Sequence, residues 1–194
     1  VRILTLEEIL KDVDTYVPNT ISTEQKVRWI NEIQKQLFRD YPVPDAVYQF
    51  ETVPGLDYYD LPDDCSTDRI TNLVIDEQEY DGLSLDSEET SFYWIPVEGK
   101  LFIQPTPQDV MMGFIYYRPK PIELTSANLS AIPNFPEDYH ELLVFGCAAR
   151  VAKAYQDVDL ANNMVSDFNY LADKAKKELR KTKNKTVRIV QDWR

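Results

Sequence analysis

The sequence is poor in glycine, histidine and cysteine, and each shortage closes off a chemistry. Five glycines stand at positions 55, 82, 99, 113 and 146 of 194 residues. They are too far apart to build GxGxxG or GxxxxGK[ST], so a glycine-rich phosphate cradle is excluded. No GxSxG elbow is present either. The single histidine, His140, leaves no zinc site with the usual His/Cys ligands. Any His-based triad would rest on that one residue, at the start of a predicted helix. The two cysteines, Cys65 and Cys147, cannot make a disulfide framework. They read as free, buried thiols of a reducing compartment, with a single bridge as the alternative. No apolar run approaches the roughly 20 residues of a membrane span. No charged-then-apolar leader opens the chain, so no export signal is expected. What is present is an ordinary globular mixture, 43% hydrophobic and 28% charged, which argues against full disorder, collagen and coiled-coil arrays. The length suits one domain, or one domain with an extended arm.

Charge is unevenly placed. The formal net charge is −12. From Lys174 to Arg194 there are nine basic residues and two acidic ones; from Asp45 to Glu98 there are 15 acids and one base, Arg69. An acidic body thus carries a basic tail, and such a tail suits nucleic acid or an acidic protein surface. The body would repel DNA within a Debye length, about 8 Å at physiological salt. That disfavours DNA binding by the body. It suits the wall of a conduit to which DNA must not stick, or a polar subunit interface.

Periodicity divides the chain into three zones. In residues 1–41, Thr5 with Glu8 has capping-box spacing, and Leu6, Ile9, Leu10 and Val13 follow at helical intervals. Pro18 and Asn19 end that helix. Ser22 with Gln25 opens a second, with Val27, Ile30, Ile33 and Leu37 as its stripe, and Pro42 and Pro44 stop it. Over 45–120, Pro and Gly punctuate runs of aromatic and β-branched residues. Strands are expected at Val47–Val53, Tyr58–Leu61, Arg69–Ile75, Phe92–Val97, Lys100–Gln104 and Met111–Tyr117, with a hairpin across Glu98-Gly99. Short connections predict an antiparallel sheet. Helix returns at Glu137, behind Pro133 and Pro136, with an apolar face from Leu142 to Tyr155. Its small run Gly146 to Ala149 admits another helix closely. After a break at Asp157–Asp159, a long helix runs from Leu160 to about Lys181. The predicted fold is α+β: a helical bundle of two N-terminal and two C-terminal helices (1–44 and 133–181), a β-rich insertion (45–120) and an extended arm (182–194), with 1–181 as a single domain.

Candidate chemistry is sparse. Asp60, Asp63 and Asp64 cluster at one turn, Asp157 and Asp159 at another. They read as a cation site or as turn and cap chemistry; the first cluster lacks the glycine and terminal glutamate of a calcium loop. Cys147 sits in an apolar helix with no base near it in sequence, which makes it packing and not a nucleophile. Phe92-Tyr93-Trp94 reads as sheet core before base stacking, because the acids around it oppose phosphate. No catalytic residue, metal or cofactor is assigned, and no enzyme activity is expected. The tail is the sharper signal. Val187, Ile189, Val190 and Trp193 are poor material for a solvated end. A basic, apolar-tipped arm of Arg180, Lys181, Lys183, Lys185, Val187, Arg188, Ile189, Val190, Trp193 and Arg194 is expected to dock on a partner, by strand addition among other modes.

Taken in order, several short motifs resemble the head-to-tail adaptor (connector, head-completion) proteins of tailed bacteriophages. They are Arg28-Trp29-Ile30-Asn31; Tyr59-Asp60-Leu61-Pro62-Asp63-Asp64 followed by Arg69-Ile70; Gly99-Lys100-Leu101-Phe102-Ile103-Gln104-Pro105-Thr106-Pro107; and Ile132-Pro133 to Tyr139, followed by Leu142-Leu143 and Ala148-Ala149. The resemblance covers roughly Leu4 to Leu179. It implies a structural virion protein of the neck, assembled in the host cytoplasm. It further implies a ring, often of twelve copies, under the portal vertex and above the next tail component. DNA would pass through without sequence-specific binding, and the C-terminal segment would insert into the portal. The alternatives are another neck or tail-completion ring protein and, further off, an accessory hydrolase.

Overall fold

The computed structural model describes residues 3–83, 92–97 and 99–191, with 96, 97 and 182–191 described by backbone alone. The chain forms two compact units. One joins Val1–Pro44 to Pro121–Arg194, and the other is Asp45–Lys120.

The first unit is helical. Helix α1 (Leu6–Tyr16) starts at a reciprocal capping box, in which Thr5 Oγ1 accepts from the Glu8 amide and the Glu8 carboxylate accepts from the Thr5 amide. Two orphan donors are satisfied at once, which pins the start of the helix. Its stripe of Leu6, Ile9, Leu10 and Val13 is buried. Each such side chain stabilises the fold by about 1.5–3 kcal/mol. Helix α2 (Thr23–Asp40) starts at Ser22, whose hydroxyl accepts from the Gln25 amide. A single 3-10 turn, Glu137–Tyr139, leads into α3 (Glu141–Ala154). The turn to α4 places Gln156 at φ 60°, and Asp157 Oδ1 accepts from the Leu160 amide. Helix α4 (Val158–Gln191) then runs for 34 residues.

The small run on α3 does what its composition suggests. A Cβ at Gly146 would stand 3.0 Å from Ile33 Cδ1 of α2, so glycine permits the approach of the two helices. Around them lies a core of Leu4, Ile30, Leu37, Phe135, Leu143 and Cys147 among others. His140 belongs to this core. It is 1% exposed. The Leu4 amide donates to its Nδ1 at 3.3 Å, and its Nε2 lies 2.9 Å from the Phe135 carbonyl.

The second unit is a seven-stranded sheet of order β1-β7-β3-β4-β5-β6-β2. The strands are β1 (Ala46–Glu51), β2 (Tyr58–Asp60), β3 (Ile70–Ile75), β4 (Gln78–Gly82), β5 (Tyr93–Val97), β6 (Lys100–Gln104) and β7 (Met112–Tyr117). One face covers a separate core that includes Leu73, Ile75, Tyr80, Trp94, Leu101, Ile103 and Ile115. The hairpin across residues 98 and 99 forms between β5 and β6, with Gly99 at φ 70° supplying the turn.

The expectations for fold need three corrections. The sheet is not purely antiparallel: β4 and β5 pair in parallel, Asp81 with Tyr93 and Gly82 with Trp94. Strand β4 was not expected, because its turn with β3 is Asp76-Glu77, both at positive φ without glycine or asparagine. The arm is not extended as far as Gln191, since α4 continues without a break. Once a helix is nucleated each further residue adds a hydrogen bond. Lys and Arg are good helix formers, and the few tenths of a kcal/mol lost at Val187, Ile189 and Val190 do not stop it.

Candidate functional site

The arm is the continuation of a helix whose near part is firmly seated. Ala161, Met164, Ala172, Ala175 and Leu179 of α4 are buried, with Phe168 and Leu171 packed beside them. These positions recur at three- and four-residue intervals, one face of an α-helix. Tyr139 adds a polar tie, its hydroxyl donating to the Glu178 carboxylate. Burial first, and that carboxylate second, hold the Tyr139 hydroxyl well above the usual phenol range. Among the described side chains Leu179 is the last buried one on α4. The helix continues for the twelve residues 180–191, about 18 Å at 1.5 Å per residue.

Of the docking residues named from sequence, Arg180 and Lys181 are exposed on α4. Lys183, Lys185, Val187, Arg188, Ile189 and Val190 stand on helical backbone, and their side chains lie outside the described residues. Trp193 and Arg194 lie outside the described residues altogether. Upstream, Lys174, Lys176 and Lys177 are exposed as well. None of these five described bases takes part in an ion pair among the described residues. Tyr170 is 79% exposed on the same helix, an aromatic side chain that sequence reasoning passed over. The signal was available: Tyr170, Lys174, Lys177 and Lys181 follow at i, i+4, i+7 and i+11 and share one face.

Of the carboxylates singled out from sequence, Asp63 and Asp159 are exposed, and three have partners within the fold. Asp60 pairs with Lys100 at 3.2 Å, Asp64 accepts from the Tyr117 hydroxyl at 2.8 Å, and Asp157 caps α4. Among the described residues no three His, Cys, Asp or Glu side chains gather as a metal site. Cys65 and Cys147 are free and buried. Burial pushes the Cys147 thiol up to about 12 and the Cys65 thiol up to about 11, which makes them poor nucleophiles. Of Phe92-Tyr93-Trp94, Trp94 is in the sheet core, against Gly82, and Phe92 rests edge-on to Tyr80 at 5.4 Å. A groove of about 270 Å³ between α2, α3 and α4 is floored by Ile33, Gly146, Ala161 and Phe168. Arg150 at its rim is tied to Glu32. No helix among the described residues is long and apolar enough to cross a membrane.

The helical unit thus carries exposed bases on α4 up to Lys181, and the sheet unit carries the acidic excess of the chain. The chain belongs to the SU10 adaptor protein family, a phage head-tail adaptor family whose model matches residues 4–190. A comparison with curated proteins gives no match. Membership makes the protein a structural phage adaptor that acts among other virion components.

Proposed function

We propose that copies of this protein close a ring between the portal vertex and the tail, extend the DNA channel, and fasten to the portal through residues 182–194. The observation that carries this reading is α4: a helix buried along one face from Ala161 to Leu179, whose backbone continues to Gln191 through the basic stretch of the sequence. A helix end prepared in this way loses less conformational freedom on docking than an extended arm, so less of the contact energy is spent on ordering. Side-by-side heterologous contacts close a ring when the rotation between neighbours divides a full turn. Repetition of a weak arm contact around the ring makes a durable joint. The acidic sheet unit suits a conduit that must not retain DNA, or the surface offered to the next tail component.

The test is mass by light scattering, alone and mixed with the portal ring, for the full chain and a chain ending at Lys181. Ring-sized addition to the portal by the full chain and its loss on truncation support the proposal. Equal binding by both chains removes the arm from it, and no binding by either removes the portal.

A further inference from the structure

The sheet unit has a second face, and the pairing register shows what stands on it. Glu79 of β4 lies opposite Val74 of β3, Val74 opposite Phe114 of β7, and Phe114 opposite Gln49 of β1. One row over, Asn72 lies opposite Tyr116 and Tyr116 opposite Val47. Residues directly opposite share a face, and so do alternate residues along a strand. Val74, Phe114 and Tyr116 therefore form one apolar centre, which Val47 continues at 54% exposure. None of the four belongs to the buried cluster under the opposite face. The rim is acidic: Glu79 and Asp81 alternate on β4, and Asp76 and Glu77 make the β3–β4 turn, all four exposed.

The charge distribution says what fits there. The sheet unit holds sixteen acids and four bases, so it carries the whole −12 of the chain; the helical unit is balanced, seventeen of each. Within that balanced unit the positive charge is concentrated on the last stretch of α4. There Tyr170 stands on one helix face with Lys174, Lys177 and Lys181. An aromatic anchor followed by three lysines, unpaired among the described residues, is the complement of an apolar centre rimmed by carboxylates. The sizes agree. Residues 170 to 181 span about 16 Å of helix, and four strands about 4.8 Å apart span about 14 Å.

We propose that the outer face of β1-β7-β3-β4 is the docking surface for the Tyr170–Lys181 face of α4 in a second copy of this chain. The contact joins two different patches, so it is head to tail and propagates from copy to copy. Tyr170 buries its ring against Phe114 and Tyr116, and the lysines meet Glu79, Asp81, Asp76 and Glu77. Residues beyond Lys181 take no part, which leaves them for the portal. The inference rests on the ring reading above and supplies the surface by which neighbours meet.

The experiment is a charge swap on the full-length chain, with the dissociation constant of self-association measured by sedimentation velocity at several concentrations. The helix variant is K174E/K177E/K181E, the sheet variant E79K/D81K, and the combined variant carries all five changes. Each single-surface variant is expected to associate at least tenfold more weakly than the native chain. The combined variant, and an equal mixture of the two single-surface variants, are expected to recover native association, which also excludes misfolding as the cause of the losses. If the native chain associates and the single-surface variants associate equally well, this contact is overturned while the ring stands. Losses that neither the mixture nor the combined variant recovers overturn it too. A native chain that stays monomeric at every concentration, and on the portal, overturns the ring and this inference together.

Discussion

Asn31 offers a sharp test of what holds the helical unit together. The residue is 8% exposed on α2, and both ends of its side-chain amide engage one residue of the facing segment. Nδ2 donates to the Leu124 carbonyl at 2.8 Å, and Oδ1 accepts from the Leu124 amide at 2.9 Å. Leu124 is itself 4% exposed, so water cannot readily replace either bond. Asn31→Leu keeps the volume and removes both partners. Two buried backbone groups are then orphaned, at about 1–3 kcal/mol each. With partial relaxation the expected loss is about 3 kcal/mol, a fall in Tm of roughly 6–12 °C for a chain of this length. Asn31→Asp separates the two bonds. Its carboxylate still accepts from the Leu124 amide but faces the Leu124 carbonyl with a second oxygen. That arrangement favours the protonated acid, so the aspartate pKa is raised in the folded state. The variant's stability relative to Asn31 is then best below the unfolded value, about 3.9, and falls as pH rises through the folded value. Urea unfolding from pH 3 to 8, followed by helical circular dichroism, reads both effects. A loss under 1 kcal/mol for Asn31→Leu, or a pH-independent gap between Asn31→Asp and the native chain, would refute the reasoning.

Two further perturbations follow from the same kind of accounting. Cys65 and Cys147 should resist a thiol reagent at pH 8 in the folded protein and react fully in denaturant; fast modification without denaturant would contradict their burial. Because burial raises both thiol pKa values in the folded state, only the unfolded chain ionises first. Their contribution to stability is intact below about pH 8.5 and declines from there toward pH 11–12. For His140→Ala, the Leu4 amide and the Phe135 carbonyl both lose their buried partner, and a cavity opens beside Phe135. A loss of about 2–4 kcal/mol is expected, measured as the urea midpoint, together with faster amide exchange at Leu4 than in the native chain. Unchanged exchange at Leu4 would show that the histidine does not hold the N-terminal segment.

The parts of the fold legible in sequence were those governed by local rules. The capping box at Thr5 and the cap at Ser22 act over three residues, so reading them needs no tertiary knowledge. The β5–β6 hairpin carries glycine at its turn for the same reason. Strand β4 escaped because Asp76-Glu77 reaches positive φ with neither glycine nor asparagine, the residues that mark such a turn most strongly, and the parallel pairing of β4 with β5 joins segments whose connection carries no glycine. The proposed docking residues stand out in the sequence as composition, a basic stretch with apolar positions, while their backbone is helical to Gln191 and not extended. Three β-branched residues within four positions suggested an extended arm, where the momentum of a long, already seated helix carries through. Tyr170 escaped for a different reason: between Phe168 and Leu171 an aromatic reads as one more core position until its exposure is known. Asn31 sat inside a motif that pointed to the family, and only the structure shows its double bond to Leu124.

The seating of α4 also decides how the proposed joint would bear load. The buried positions from Ala161 to Leu179 spread over about 27 Å of helix, and all of them lie along the pulling direction when force is applied at the C-terminal tip. A pull along the helix axis therefore strains every one of these contacts simultaneously, in shear. A pull across the axis would peel them apart one at a time from Leu179 inward, at much lower force. A tether built this way is stiff against tension along one line and compliant to swivelling about it, the mechanical character of a mooring line.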